Sequence, residues 1–313
     1  MYLEKVWRRL PVIPVSFVLL STLWGSSFVA IEVGLEHIPP LLFAAIRYDV
    51  AGVVLLAYAM ATTDAWIPRE RDDVFAIVVG GALLIGLHHA LLYLGQQYVP
   101  GAVAAVVISL VPVLTVVFAA SVLPDGRLTL VQYAGVGLGF VGVAAVAAPD
   151  PNSVASASFV GIGLLFLSAV VMAVGSVALR PLSMDLPTRS MQAWLMLLGA
   201  GLLHVGSALR GEPTTLTWTP ALLASLAYLA IGSSVVAYLL YFDLLERIGP
   251  SELNLVTYVQ PVTATAVSWA LLGSLVELTT IGGLLTIFGG FALVKRTELR
   301  RIASSVRPRG RDI

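Results

Sequence analysis

Ten long apolar runs divide this chain, at roughly 12–35, 40–61, 74–97, 101–122, 130–148, 159–180, 188–209, 220–246, 250–274 and 278–296. A helix that crosses a bilayer needs about 20 mostly apolar residues. The connections are short and rich in turn formers: Pro39-Pro40, Pro100-Gly101, Pro124-Asp125-Gly126, Pro149-Asp150-Pro151 and Gly249-Pro250. Strands of a membrane barrel would show runs of about 10 residues with alternating polarity, and none occurs. The expected fold is therefore all-α, a polytopic membrane bundle of ten transmembrane helices.

Composition agrees. Hydrophobic residues make up 58% of the 313, charged residues 12%, and the mean hydropathy is +0.93. A soluble enzyme and a disordered chain are excluded. The 18 basic and 18 acidic residues cancel, so no net field selects a polyanion, and nucleic acid is not an expected partner. With no cysteine, disulfides, thiolate metal sites and cysteine nucleophiles are out of reach. The four histidines form no HExxH pattern, and neither a metal nor a cofactor is expected.

Basic residues set the orientation. With a cytoplasmic N-terminus, every Lys and Arg except Arg47 and Arg210 falls inside, including the basic tail 297–313. This is the positive-inside pattern, and it places both ends of a multi-pass cell-membrane protein in the cytoplasm. The basic N-terminal start resembles a signal peptide. No small-residue cleavage site closes a short core, so the run reads as a retained first helix. The tail is suited to anionic lipid.

The chain also repeats. Displaced by 149 residues, Tyr93 falls on Phe242, Pro112-Val113 on Pro261-Val262 and Leu123 on Leu272. Displaced by 148, Val29-Ala30 falls on Val177-Ala178, and Gly135, Phe140 and Gly142 fall on Gly283, Phe288 and Gly290. The halves are 12–148 and 159–296, each with five spans. Because five is odd, the second half must enter the membrane from the opposite side. Two inverted five-helix repeats of this kind are a mark of secondary transporters.

Several residues are candidates for a site between the halves. Pro112 and Pro261 lie near the middle of equivalent spans and each frees a backbone carbonyl, which is tolerated where a cavity or protein satisfies it. Ser109, Thr115, Tyr258, Gln260 and Thr263 cluster near them. Arg47 is about seven residues, or about 10 Å, into its span. It is read as a counter-charge for a substrate carboxylate, as a snorkelling residue, or as the partner of Glu32 in a structural pair at the outer gate. His88 and His89 are adjacent on the third span, about 100° apart, and are not expected to share a target. They are read as helix-packing residues, or one of them as a titrating group. His204 reads as a packing or interface residue, and Asp49 as facing a cavity or pairing with another span. Trp24, Tyr93, Trp194, Tyr238 and Tyr258 are cavity-lining candidates, each with core packing as the alternative. The substrate-binding set is thus Trp24, Arg47, His89, Tyr93, Ser109, Pro112, Trp194, Tyr238, Tyr258, Gln260 and Pro261, with Glu32 and His88 in gating or coupling. Gly135 with Gly139, and Gly282, Thr286 and Gly290, have the four-residue spacing that lets helices approach closely, within the bundle or in a homodimer.

Three stretches carry a family resemblance. They are Trp24-Gly25-Ser26-Ser27-Phe28-Val29-Ala30-Ile31 followed by Pro40 and Arg47, then Tyr238-Leu239-Leu240-Tyr241-Phe242 with Gly249-Pro250-Ser251, and Tyr258-Val259-Gln260-Pro261-Val262. In order and spacing the chain resembles the EamA-type, ten-span members of the drug/metabolite transporter superfamily over nearly its whole length. It departs from them at Asp125-Gly126, where Glu is usual, near Ser274 and Glu277 in the second copy, and at Glu32, where Lys is frequent. The resemblance implies a carrier of small metabolites, commonly amino acids or their relatives, often an exporter. A weakly charged, aromatic-rich cavity with one Arg suits a zwitterionic or neutral solute. No GxxxxGK[ST] loop is present, so drive would come from a coupling ion or from the solute's own gradient. The rival readings are an intramembrane enzyme, for which no nucleophile or metal constellation is visible, and a passive channel.

Overall fold

The computed structural model describes residues 12–122, 128–147, 157–253, 255–274 and 277–296. Residues 1–11, 123–127, 148–156, 254, 275–276 and the tail 297–313 fall outside these, and with them Asp125-Gly126. Ten helices follow one another: α1 Val12–Leu35, α2 Pro40–Thr62, α3 Arg71–Gln96, α4 Gly101–Val122, α5 Leu130–Ala147, α6 Ala157–Ala178, α7 Thr188–Leu209, α8 Pro220–Gly249, α9 Val256–Leu272 and α10 Leu278–Val294. All of these except α5, α9 and α10 are long and apolar enough to cross a membrane. Leu130–Val146 and Leu278–Val294 are apolar but shorter. Large apolar side chains cover the outside, among them Val18, Val53, Phe75, Val141, Val205 and Leu285, each about half exposed or more. Such a surface belongs in lipid. The chain is an all-α, multi-pass membrane bundle.

Side-chain-to-backbone contacts fix which helix ends share a face. Glu212, just after α7, accepts the Leu41 and Leu42 N–H groups at the start of α2 (3.3 and 2.9 Å). These donors are among the four that any helix start leaves unpaired. At the other end, Ser190 and Trp194 of α7 donate to the Ala65 and Trp66 carbonyls beyond α2 (3.2 and 2.8 Å). α2 and α7 therefore run antiparallel, side by side. Asp73, buried at the start of α3, accepts from Asp185 and Leu186 in the α6–α7 loop (3.1 Å each). We call the two surfaces the Leu35 face, where α1 ends, and the Thr62 face, where α2 ends.

The packing partners form a regular set: α2 with α7, α5 with α10, α1 with α8 and α9, and α6 with α3 and α4. The α5–α10 contact is made through glycine, and the Gly135–Gly139 pair read from sequence takes part in it: a Cβ on Gly290 would press on the Gly135 carbonyl and stand 2.9 Å from the Gly139 nitrogen. A Cβ on Gly135 would stand 2.5 Å from the Gly290 carbonyl, and one on Gly142 2.7 Å from the Gly283 carbonyl. The stripe continues two turns on, at a spacing of seven residues, through Gly142 and Gly283. The side a Cβ on Gly139 would take faces Leu110 of α4, and Gly282 has open space beside it, with Thr286 half-buried and bonded back to the Gly282 carbonyl.

Two helices contain wide turns in which hydrogen bonds reach one residue further than in an α-helix: Gly81–Leu87 in α3 and Tyr228–Val236 in α8. Such turns often mark functional positions. α4 is interrupted at Ser109-Leu110, before Pro112 rather than at it, whereas α9 runs unbroken through Pro261. We expect Gly135→Val and Gly142→Val to lower thermal stability in detergent by about 1–3 kcal/mol through overpacking. Gly282→Ala, with room beside it, should leave the melting midpoint in place. A scanning fluorescence melt of each variant checks this.

Candidate functional site: a cavity around Arg47

Near the middle of the bundle, α1, α2, α3, α4, α6, α8 and α9 enclose a cavity of about 170 Å³. An engineered protein cavity of roughly 150 Å³ admits benzene, so a ring-sized solute body fits. Its wall is built from Trp24, Ser27, Phe28 and Ile31 of α1, Arg47 and Tyr48 of α2, His88, His89 and Leu92 of α3, Ile108 and Val111 of α4, Met172 of α6, Ser233 and Tyr238 of α8, and Thr257 and Gln260 of α9.

Arg47 is 5% exposed. Its Nε donates to Ser234 Oγ at 3.1 Å, one Nη to Tyr93 Oη at 3.1 Å and the other to Ser233 Oγ at 3.0 Å. Its Cζ lies 4.9 Å from the centre of the Tyr48 ring. A guanidinium has five N–H donors, so two remain beyond these three bonds. These partners are neutral, and it makes no ion pair among the described residues. Its position follows from local chain geometry. Adjacent α-helical residues diverge by about 100°, but Ser233 and Ser234 lie in the wide turn of α8, which narrows that angle and lets both hydroxyls meet one side chain.

The two histidines are neighbours on the cavity wall. His88 and His89 touch edge to face with ring centres 4.5 Å apart, and both line the cavity. The wide turn of α3 ends immediately before them. Their polar partners are separate: His88 Nδ1 is 2.8 Å from Ser168 Oγ of α6, and His89 Nε2 is 2.5 Å from Tyr48 Oη. Trp24 donates to the Ser233 carbonyl (3.1 Å) and meets Tyr238 and Tyr241 with ring centres 5.6 and 5.4 Å away.

Of the residues singled out from sequence, Trp24, Arg47, His88, His89, Tyr238 and Gln260 reach the cavity wall. Tyr93 stands behind it, fully buried, holding Arg47. The others lie elsewhere. Ser109 bonds back to the Val106 carbonyl inside α4 (2.6 Å). Pro112 and Pro261 are not on the wall. The residues four positions before them, Ile108 and Thr257, are, and those are the residues whose carbonyls lose a helical donor to proline. Trp194 is engaged with the Trp66 carbonyl at the Thr62 face. Tyr258 packs on Phe291, ring centres 3.8 Å apart, between α9 and α10. Aromatic residues near a kink can serve either side of a helix, and sequence does not say which.

Glu32 does not pair with Arg47. Its carboxylate accepts the Gly101 N–H at 2.7 Å, at the Leu35 face. Asp49 bonds to His204 Nε2 of α7 at 2.6 Å. Sequence reading missed Tyr48, Ser27, Thr257 and the Ser233-Ser234 pair. Two adjacent hydroxyls in mid-span were the available signal for that pair.

The EamA-like transporter family matches this chain twice, over residues 13–148 and 159–296. The chain belongs to the EamA-like transporter family. It is 30% identical over 258 residues to the uncharacterized inner membrane transporter YedA of Escherichia coli K12, covering 81% of each protein. It is 25% identical to the uncharacterized transporter YvbV of Bacillus subtilis, covering 92% of each, and 27% identical to the protein PecM of Dickeya dadantii, covering 91% of this chain and 93% of PecM. One solved crystal structure shares the fold with a TM-score of 0.64 at 24% identity, covering 91% of this chain and 97% of that one. Membrane transport, not catalysis, is the family's activity. Among the described residues no cluster of His, Asp and Glu suited to a metal occurs.

Tyr93→Phe removes one acceptor from a buried charge. Hydrogen bonds to charged groups contribute about 1.5–3 kcal/mol, so a clear drop in the melting midpoint is expected. Tyr258→Phe removes a buried hydroxyl that has no partner among the described residues and should leave it unchanged or raise it.

Proposed function

We propose that this EamA-like protein is a secondary transporter that moves a small carboxylate-bearing metabolite, an amino acid or a related zwitterion, by alternating access, with export as the working direction. The observation that carries this reading is Arg47: a full charge buried in a central cavity, held by three neutral groups and with donors to spare. Burying a charge is costly unless it is paired. A solute carboxylate entering the cavity supplies the missing partner, and Trp24 and Tyr238 offer faces for its body. The aromatic faces also suit an ammonium group.

The two halves, 12–148 and 159–296, are read as five-helix repeats of opposite orientation, followed by the basic tail 297–313. Support comes from the double family match and from the packing set. Adding five to each helix of the first half, and subtracting five in the second, sends the α2–α7 and α5–α10 pairs onto themselves. It also exchanges α1–α9 with α4–α6, and α1–α8 with α3–α6. The Thr62 face is assigned to the cytoplasm, because Arg69, Arg71, Arg180 and Arg189 border it while Arg210 alone borders the other.

The experiment is solute uptake into proteoliposomes across a panel of amino acids and other small carboxylates. Saturable, counterflow-competent flux of at least one is expected. Non-saturating conductance would favour a channel. Arg47→Ala should lower transport of a carboxylated solute by roughly tenfold or more, the value of a charge-assisted hydrogen bond. Arg47→Lys should rescue only part of it, since an ammonium lacks the planar fork that reaches three acceptors at once.

A further inference from the structure

α1 is tied to the α3–α4 hairpin at the Leu35 face by three features. Glu32 accepts the Gly101 N–H, the first donor of α4, at 2.7 Å. The Gln96 amide donates to the Phe28 carbonyl. Gly101 lies so near α1 that a Cβ on it would stand 2.5 Å from the Phe28 carbonyl oxygen and 3.1 Å from the Glu32 carboxylate. Ile31, the residue before Glu32, lines the cavity, while Glu32, Glu36, Gln96, Gln97 and Tyr98 border a separate dish.

The repeat register gives the corresponding positions at the Thr62 face. Glu32 maps to Arg180, Phe28 to Ser176, Gln96 to Leu245 and Gly101 to Pro250. None of the three features can be rebuilt there. Arg180 offers no acceptor in its side chain, Leu245 no amide, and Pro250 no N–H. The structure shows the same asymmetry. α1 packs on α3 and α4, whereas α6 makes no comparable contact with α8 or α9 among the described residues. Arg180 is exposed, and Ser176 bonds within its own helix to Met172. Met172 of α6 and Thr257 of α9 line the cavity from helices that show no comparable packing among the described residues.

We propose that Glu32, Gln96 and Gly101 form a one-sided latch that holds the Leu35 face shut, so that this conformer is open toward the Thr62 face and is the resting state of the empty protein. A latch without a mirror image removes the energetic equivalence that two similar halves would otherwise give. The inference goes beyond the transport reading, and rests on its orientation only for the words outside and inside.

The natural absence of cysteine makes the test direct. Ile31→Cys is introduced alone and labelled with a membrane-impermeant maleimide, in right-side-out and in inside-out vesicles. With the latch intact, labelling should be slow from outside. Glu32→Gln with Gln96→Leu, which unmakes both hydrogen bonds, should speed outside labelling roughly fivefold or more, the factor for loss of about one net hydrogen bond. Gly101→Ala should act in the same direction by wedging α4 from α1, and serves if the double variant does not fold. Met172→Cys, read from inside, checks folding and should label readily in the parent. Rapid outside labelling of the parent, or no change in either variant from either side, overturns the latch. An increase confined to inside-out vesicles leaves the latch standing and overturns the orientation.

Discussion

Hydrocarbon offers no water to an unpaired polar group, and that constraint shapes every feature of this protein. Serine and threonine hydroxyls in the spans fold back on carbonyls of their own helix, as Ser21, Thr115 and Thr286 do. Charges that cannot fold back are met by neighbouring helices. Asp73 and Glu212 serve N–H groups at the two faces that their own helices or loops leave free, Asp49 meets His204, and Glu32 meets the start of α4. Arg47 is the exception in kind. Its three partners are neutral, and the cavity beside it is where an anion would complete its pairing.

The wide turns explain how the site is assembled. A regular helix presents one residue in every three or four to a given neighbour. The turn in α8 presents Ser233 and Ser234 together, and the turn in α3 ends where His88 and His89 begin. α3 thereby gives two adjacent polar residues to the cavity wall, and α8 gives two adjacent hydroxyls to Arg47. α4 takes the other course: its interruption at Ser109-Leu110 leaves Ile108 on the wall. Pro112 and Pro261 do not touch the cavity, yet the residues whose carbonyls they free do.

Similarity between the halves provides the scaffold, and departures from it provide function. Arg47 has Leu195 at its equivalent position, so the site carries one guanidinium. The α1 latch faces Arg180, Leu245 and Pro250 across the repeat register. A protein built from two like halves could rest equally in either direction, and these unpaired substitutions bias it.

The sequence by itself determined the all-helical class, the ten runs, the orientation signal in the basic residues and the family. All of these follow from hydropathy, charge and local order along the chain, which act over one helix at a time. It also singled out Arg47, Trp24, Tyr238 and Gln260, because a polar or aromatic residue deep in an apolar run is conspicuous without knowing its neighbour. Tertiary structure alone decided which side of a helix such a residue serves. Tyr258 and Trp194 turned to packing positions, Glu32 to Gly101 rather than Arg47, and the glycine stripe ran through Gly135, Gly139 and Gly142 while Gly282 stayed outside it. Those outcomes depend on helix rotation and on wide turns. Both are set by the sum of contacts from several helices, and no single segment encodes that sum.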